Sequence, residues 1–515
     1  LIVKGNIGYN GNMEKLTILA TTDVHGSILA KNYADNSIIP SGLARFSTAV
    51  RQAKQRGATL ALDNGDILQG TPLLTVANQK KGPHLLGRIM NQIGYDYVNL
   101  GNHDFNYGPQ VLQRYLDTLT MPCLTANILQ KGVPLGKSTL VSIQNHTLAL
   151  IAVCTDYIPH WEKSENIAGM DFLDPIETVK TELKRLRSLA DAVIVMYHGG
   201  LENDPISGEA TERFTGENVG YRIAQIPGID VLITGHQHRS LVAKIGSTIV
   251  TQTTLNAKEF AEITLTFGEK LRIDPKIVTL DAFEVDPMID SIAEETERET
   301  QRWLDQPLGR IDGPSMKVTD GFMARLHKHP LVSFINQVQR ELTQADLSAC
   351  ALFNGVTGFD PEITMRDIVS TYIYPNTLIV KQIDGKTLKE FLEKCAAYFA
   401  IKDGVVIVDP SYDEPKPQHF NYDMVDGIEY TIQVSNPLGQ RIVSLFYQGK
   451  EVSESQSFTL VMNNYRAVGG GDFTMVPDLP TVLEVNRDMS ELLAETLIKH
   501  KVYKVKHIEN IHVIL

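Results

Sequence analysis

The sequence predicts an α/β fold for the first half of the chain and a smaller α+β domain for the second. Three observations carry this reading. Short apolar runs rich in β-branched residues alternate with amphipathic helical segments from Leu16 to about Phe267. A strongly charged helical stretch follows, Asp286 to Gly309. Beyond it helices and hairpin-like segments succeed one another in a different rhythm. With 515 residues, 43% of them hydrophobic, the chain has apolar material for more than one core.

In the first half the strands read LTILAT, TLALD, YVNL, AVIVMY and VLIT. Near-continuous apolar strands imply sheets buried on both faces, with helices layered over them. Gly42 to Gln55 and Pro175 to Ser188 supply such helices, with apolar residues at helical spacing as in IETVKTELKRLRSL. The stretch DPMIDSIAEETERETQRWLDQPLG is dense in Glu and Arg with sparse apolar residues, and predicts a solvated helix bridging two domains. From His329 on, the order is helix LVSFINQVQREL, strand DLSACALF, helix TMRDIVSTY, strand TLIVKQI and helix KTLKEFLEKCAAYF. Hairpin segments EYTIQVS and RIVSLFYQG, strand FTLVMNNY and helix SELLAETLIKH complete an α+β domain.

The net charge of -13 argues against binding nucleic acid polymers or anionic membrane surfaces, which needs clustered Lys and Arg. An anionic substrate would then need positive charge from bound metal ions. No apolar run approaches the roughly 18 residues of a membrane span. Four cysteines, Cys123, Cys154, Cys350 and Cys395, form no CxxC pair and read as core thiols. Met13 precedes the first strand and stands as a possible native start, which would favour the cytoplasm. A processed terminus would instead mark an exported or periplasmic chain.

Polar clusters follow the strands. Asp23 and His25 come after LTILATT, Asp66 after TLALDNG, and Asn102 and His103 after YVNLG. His198 follows AVIVMY, and His236 and His238 follow VLITG. In α/β sheets the C-terminal strand ends are where ligands bind, because loops from several strands converge there. Asp, His and Asn without Cys form an oxygen and imidazole donor set suited to Mn, Zn, Fe or Co. The DxH and GHxH pairs would each project both side chains to one side of an extended strand end. Asp66, lying between two such groups, could bridge two cations, a device for activating water and clamping phosphoryl oxygens. Taken singly, DxH reads as a turn or cap and GHQH as a hydrogen-bonded loop; together and in order they point to a dimetal site. His327 and His329 read as solvated, and His84, His146, His160, His419, His500, His507 and His512 lack clustered partners.

TTDVHG, DNGDILQGTPL, GNHDFNYG, YHGGLE and TGHQH, in that order, resemble a calcineurin-type metallophosphoesterase domain. YIYPNTL and MNNYRAVGGGDF resemble the C-terminal domain of the 5′-nucleotidase family. The forms NGDxxQG, GNHxFNYG, YxYPNTL and NNYRAxGGG are similar to the 2′,3′-cyclic-nucleotide 2′-phosphodiesterase/3′-nucleotidase branch. The resemblance implies a four-layer α-β-β-α domain over 13–280, a linker helix over 281–309 and a substrate-binding domain over 310–515. It implies one metal on Asp23, His25, Asp66 and His238, and another on Asp66, Asn102, His198 and His236.

His103 would then be the non-ligand histidine beside the phosphate. In the 5′-nucleotidase branch an aspartate three residues on pairs with it; here that position is Asn106, which puts a His–Asp dyad in doubt. Asp104 reads first as a structural turn residue. On pattern alone Tyr374 and Tyr465 read as core tyrosines; the resemblance makes them an aromatic clamp for a base, with Asn376 as a base contact and Asp472 as a ribose contact. The family's substrate arginine has no counterpart in FNGVTGFDPE. The implied reaction is in-line attack of a hydroxide activated by two divalent ions, opening 2′,3′-cyclic nucleotides to 3′-nucleotides and hydrolysing these to nucleosides. A monomer acting on small nucleotides is expected. The rivals are a 5′-nucleotidase or nucleotide-sugar hydrolase on the same scaffold, and a catalytically silent nucleotide-binding protein.

Overall fold

The computed structural model describes residues 14–211, 214–374, 376–414, 417–485 and 487–515, so Met13 lies outside the described residues. By its internal contacts the chain divides into two units, one ending at Thr300 and the next beginning at Gln301.

The strands of the first unit that position the site are β1 (Glu14–Thr21), β2 (Thr59–Asp63), β3 (Tyr97–Val98), β4 (Thr139–Ile143), β5 (His146–Cys154), β6 (Ala192–His198), β7 (Val231–Ile233), β8 (Leu241–Ile245), β9 (Thr248–Gln252), β10 (Glu259–Phe267) and β11 (Arg272–Thr279). Among the described residues they form two sheets, ordered β11-β10-β1-β2-β3 and β8-β9-β7-β6-β5-β4. In the first, β1, β2 and β3 run parallel, with Thr21 opposite Asp63. In the second, β5, β6, β7 and β9 run parallel, with Cys154 opposite His198. The C-terminal ends of these parallel strands therefore share an edge within each sheet.

Period-two alternation sorts each strand between two cores. Leu16, Ile18 and Ala20 of β1 meet Leu148, Leu150 and Ala152 of β5 and Ile194 and Met196 of β6 in a core between the sheets. The intervening Ala149, Ile151, Val153, Val193, Val195 and Tyr197 pack outward on Val179, Leu183 and Leu186. Those three lie on the helix Pro175–Leu186, started by Asp174, whose carboxylate accepts from Ile176 and Glu177 N–H. On the other sheet the helix Leu43–Arg56 sets the Phe46 ring 5.4 Å from Phe260 of β10. The result is the four-layer α-β-β-α order. Each fully buried Leu or Ile contributes roughly 1.5–3 kcal/mol to holding it.

The charged helix spans Pro287–Leu304, shorter than the 281–309 expected. Asp286 caps it, accepting from Met288 N–H at 3.1 Å, and Gly309 already lies in the strand Pro307–Asp312. Nor is the helix solvated all round: Ile289, Ala293, Thr296 and Thr300 are buried, and Glu297 bonds Lys31 at 2.7 Å and Tyr33 at 2.9 Å. A four-residue apolar or small stripe is enough to bury one face when Glu and Arg cover the other.

In the second unit a five-stranded sheet runs Asp423–Asp426, Leu347–Ala351, Ser457–Asn463, Leu378–Asp384, Thr481–Val485 in spatial order. Helices Pro330–Thr343, Met365–Thr371, Gly385–Ala396 and Met489–His500 stand where the sequence predicts them. The hairpin Glu429–Gln433 with Ile442–Tyr447 is antiparallel, as expected. Cys350 and Cys395 are buried in this unit's core. His329 departs from expectation: it is half-buried and caps the helix Pro330–Thr343 by accepting from Leu331 N–H. His84 likewise caps Leu85–Ile93 and sits 2.7 Å from Asn78 Oδ1, a structural histidine.

Candidate dimetal site

Each candidate side chain of the first unit stands at a strand end. Asp23 and His25 follow β1, Asp66 follows β2, Asn102 follows β3, and His236 and His238 follow β7; His198 is the last residue of β6. The extended backbone expected for DxH and GHxH is not what forms. Asp23, His25, Asp66, His236 and His238 have φ of 53°, 47°, 57°, 69° and 56°. Left-handed backbone costs a side-chain-bearing residue roughly 1–2 kcal/mol. The paired side chains face one way because the chain turns sharply there. Close backbone approach does the rest. A Cβ on Gly101 would lie 2.3 Å from Asp66 Oδ1, and one on Gly235 would lie 2.7 Å from Asp23 Oδ2.

Two groups of ligand atoms result, Asp23 with His25 and His238, and Asp66 with His198 and His236. In the first, His25 Nε2 and His238 Nε2 face each other at 3.2 Å, and His238 Nε2 is 3.4 Å from Asp23 Oδ1. In the second, His198 Nε2 is 3.2 Å from Asp66 Oδ2. Asp66 Oδ2 also lies 3.9 Å from His25 Nε2, so this oxygen faces both groups. Asn102 joins through its Oδ1, 2.9 Å from His236 Nδ1. All seven sequence-predicted candidates are thus brought together.

The surroundings fix how each group presents itself. His198 Nδ1 donates to the Asn64 carbonyl at 2.8 Å, leaving Nε2 to face inward. His236 turns Nε2 to Glu217 Oε1 at 2.8 Å and its ring stacks on Trp161, centroids 5.5 Å apart. Asp66 Oδ1 accepts from His103 N–H at 2.7 Å, which leaves Oδ2 bare. Asp66 Oδ2 and His198 Nε2 are buried without a hydrogen-bond partner. Leaving such groups unpaired costs several kcal/mol, so the site is built for a cation between them. Until a cation displaces it, a proton sits on Nε2 facing Asp66: burial would lower the His198 imidazole, yet Asp66 and Asp23 overcome it and raise it to about 10. Burial opposes charge on Asp23 too, but His238 and His198 hold it down at about 2. Burial keeps His25 neutral, at about 4, the form that offers a lone pair. The donor set, carboxylate and amide oxygens with imidazoles and no thiolate, fits divalent Mn, Zn, Fe or Co.

GNHDF forms a single 3-10 turn, Asn102–Phe105, that separates three roles. Asp104 is a staple: Oδ2 accepts from Gly101 and Asp66 N–H at 2.8 and 3.0 Å, Oδ1 from Ile67 and Leu68 N–H at 2.8 Å each. Its four bonds tie the β3 loop to the β2 loop. His103 stays clear of both ligand groups, its ring 5.4 Å from His25, and its Nδ1 is 2.8 Å from Asn106 Oδ1. Glu162, Glu217 and Trp161 were not singled out in the sequence; they come from loops without a motif.

In the second unit Tyr374 and Tyr465 are 39% and 40% exposed, against the core role that pattern alone suggests. Both rings pack edge-on against Phe420, at 6.2 Å each. Arg466 organises this surface: it is buried, bonds Asp423 at 2.6 Å and the Phe420 carbonyl at 3.1 Å, and reaches the Gly470 carbonyl in the glycine turn. Asn376 is tied down by its backbone, donating to Tyr374 O and accepting from Met489 N–H, both at 2.8 Å. Asp472 lies at the surface with its carboxylate 3.7 Å from Lys394 Nζ.

Paired sheets with this histidine and carboxylate cluster at their strand ends define a metallophosphoesterase, an enzyme whose chemistry requires divalent ions. Residues 16–240 match the calcineurin-like phosphoesterase family, and residues 307–478 match the 5′-nucleotidase C-terminal domain. The chain is 33% identical to a candidate 5′-nucleotidase from Staphylococcus aureus solved in complex with α-ketoglutarate, with a TM-score of 0.87 over 98% of this chain and 100% of that one. It is 29% identical to the 2′,3′-cyclic-nucleotide 2′-phosphodiesterase/3′-nucleotidase of Yersinia enterocolitica, over 88% of this chain and 81% of that one. A trifunctional nucleotide phosphoesterase protein of Bacillus subtilis is 26% identical, with 89% of this chain aligned to 36% of that protein. The chain belongs to the two-domain 5′-nucleotidase family of metallophosphoesterases.

Proposed function

We propose that the protein hydrolyses 2′,3′-cyclic nucleotides to 3′-nucleotides and these to nucleosides and phosphate. The observation that carries metal-dependent phosphoester hydrolysis is the buried, unpartnered pair Asp66 Oδ2 and His198 Nε2 inside a cage of carboxylates and imidazoles. The substrate class is supported by relatives from Yersinia, Haemophilus and Salmonella that bear this name at 26–29% identity over 88% of the chain. Asp23, His25, Asp66 and His238 would hold one divalent ion, and Asp66, Asn102, His198 and His236 the other. When bound, the ions supply Lewis acidity, acidifying water and neutralising phosphoryl oxygens.

The chain's own residues do the rest. Asp104 keeps the two loops in register, and Glu217 and the Asn64 carbonyl hold the His236 and His198 rings. His103 hydrogen-bonds the phosphoryl group or protonates the departing ribose oxygen through Nε2. Tyr374 and Tyr465 stack on the base, Asn376 contacts it and Asp472 contacts the ribose. The working form is taken to be a monomer, with its ions drawn from Mn, Zn, Fe and Co.

Phosphate release from 2′,3′-cyclic AMP (with a phosphatase added to report 3′-AMP), 3′-AMP and 5′-AMP by metal-reconstituted protein tests the substrate. Preference for the first two is expected; a strong preference for 5′-AMP overturns the proposal. That second reading, a 5′-nucleotidase, has the Staphylococcus aureus structure in its favour.

A further inference from the structure

We infer that Glu162 is a positioning residue for His103, acting through the side-chain amide of Asn106. The inference rests on the role proposed for His103.

Glu162 lies 56 residues beyond Asn106, on the loop after β5, and its Oε2 accepts from Asn106 Nδ2 at 2.6 Å. The other carboxylate oxygen, Oε1, accepts from Lys163 N–H and from Asn166 Nδ2, both at 2.8 Å. Asn166 Nδ2 also donates to the Asn106 carbonyl at 2.9 Å, so the loop grips Asn106 at side chain and backbone. A carboxylate only accepts, so Asn106 must turn its NH2 to Glu162 and its Oδ1 to His103. Oδ1 in turn only accepts, so the His103 nitrogen 2.8 Å away, Nδ1, carries the proton. That puts one proton on Nδ1 and leaves Nε2 as the working nitrogen, which donates to the substrate when the ring carries its second proton.

Only an acid can hold this arrangement. Donors approach both oxygens of Glu162, and a glutamine would present an NH2 to one of them. A direct His–Asp pair sets the histidine with one contact; here the negative charge sits one amide away and the amide transmits orientation. The same loop stacks Trp161 on His236, so the element that orients His103 is anchored against the metal-ligand cluster.

The test compares kcat, KM and bound metal for Glu162→Ala, Glu162→Gln, Asn106→Asp, the Asn106→Asp/Glu162→Ala double variant and His103→Ala. Glu162→Ala is expected to lower kcat about 10- to 100-fold, the usual scale for a supporting residue. KM should stay within about twofold and metal content should match wild type. Glu162→Gln should show most of that loss. Asn106→Asp places a carboxylate directly on Nδ1 and against Glu162, so in that background Glu162→Ala should be harmless or beneficial. On a nitrophenyl phosphodiester, whose leaving group departs without a proton, the Glu162→Ala loss should shrink to below about threefold. An equal loss in both backgrounds, or unchanged kcat in Glu162→Ala, overturns the inference. If His103→Ala keeps its turnover, the proposed role of His103 fails first; if His103→Ala is severe and Glu162→Ala harmless, the relay alone fails.

Discussion

In the first unit Asp23, Asp66 and His198 are wholly buried at the strand ends, whereas in the second Tyr374 and Tyr465 leave about two-fifths of their surface in solvent. The buried set is a fixed electrostatic arrangement: His198 and His236 are each oriented by a partner, and two polar atoms are left open toward one another. The exposed set is a scaffolded apolar surface, two rings leaning on Phe420 with Arg466 underneath. The two sites should therefore respond differently to substitution. Changes at the first site should act on metal content and turnover, and changes at the second on substrate affinity.

The sharpest way to break that division is Asp66→Ala. Asp66 faces both ligand groups, so turnover should fall by about 10³-fold or more and metal content with it, measured by phosphate release and elemental analysis. Two ions per chain retained in this variant would refute the shared-ligand role. Next comes His103→Ala, which should lower kcat by roughly 10²–10³-fold while bound metal stays at the wild-type level. Loss of metal would make His103 a ligand and erase its separate role.

Tyr465→Ala should raise KM about tenfold with kcat within about threefold, since stacking on one aromatic ring is worth roughly 1–3 kcal/mol per base. A kcat defect without a KM change would contradict the affinity role of that surface. Asp472→Ala should have the smallest effect, a KM increase of about threefold. Because its carboxylate is solvent-exposed and only loosely paired, its melting temperature should shift by no more than about 2 °C. A large stability loss would mean that the glycine turn depends on it.

Much of this was legible in the sequence, for physical reasons. Strands buried on both faces must be apolar throughout, so β5 and β6 announce themselves, and so do the polar residues that interrupt them at their ends. Ligand chemistry restricts residue types enough that all seven candidates could be picked out before the structure. What stayed hidden is non-local. Glu162 reads as one charge in HWEKSEN, and nothing in that string says its carboxylate meets Asn106. Phe420 has no motif either. The left-handed turns at Asp23, His25, His236 and His238 run against the extended backbone that the DxH and GHxH spacing suggests, because positive φ at a residue with a side chain depends on tertiary support that a local pattern does not carry.

Those turns, with the one at Asp66, have a consequence for the life of the molecule. Together with the open pair at Asp66 and His198, they make the fold of the first unit poorer when its ions are missing. Ligands that bind only the native state add stability by mass action, about 2.7 kcal/mol at a hundred times their dissociation constant. Metal supply should therefore set how long each copy survives as well as how fast it works. Limited proteolysis with and without a chelator reads this out: cleavage in the first unit should quicken on metal removal, and equal rates would show that the strained loops stand unaided.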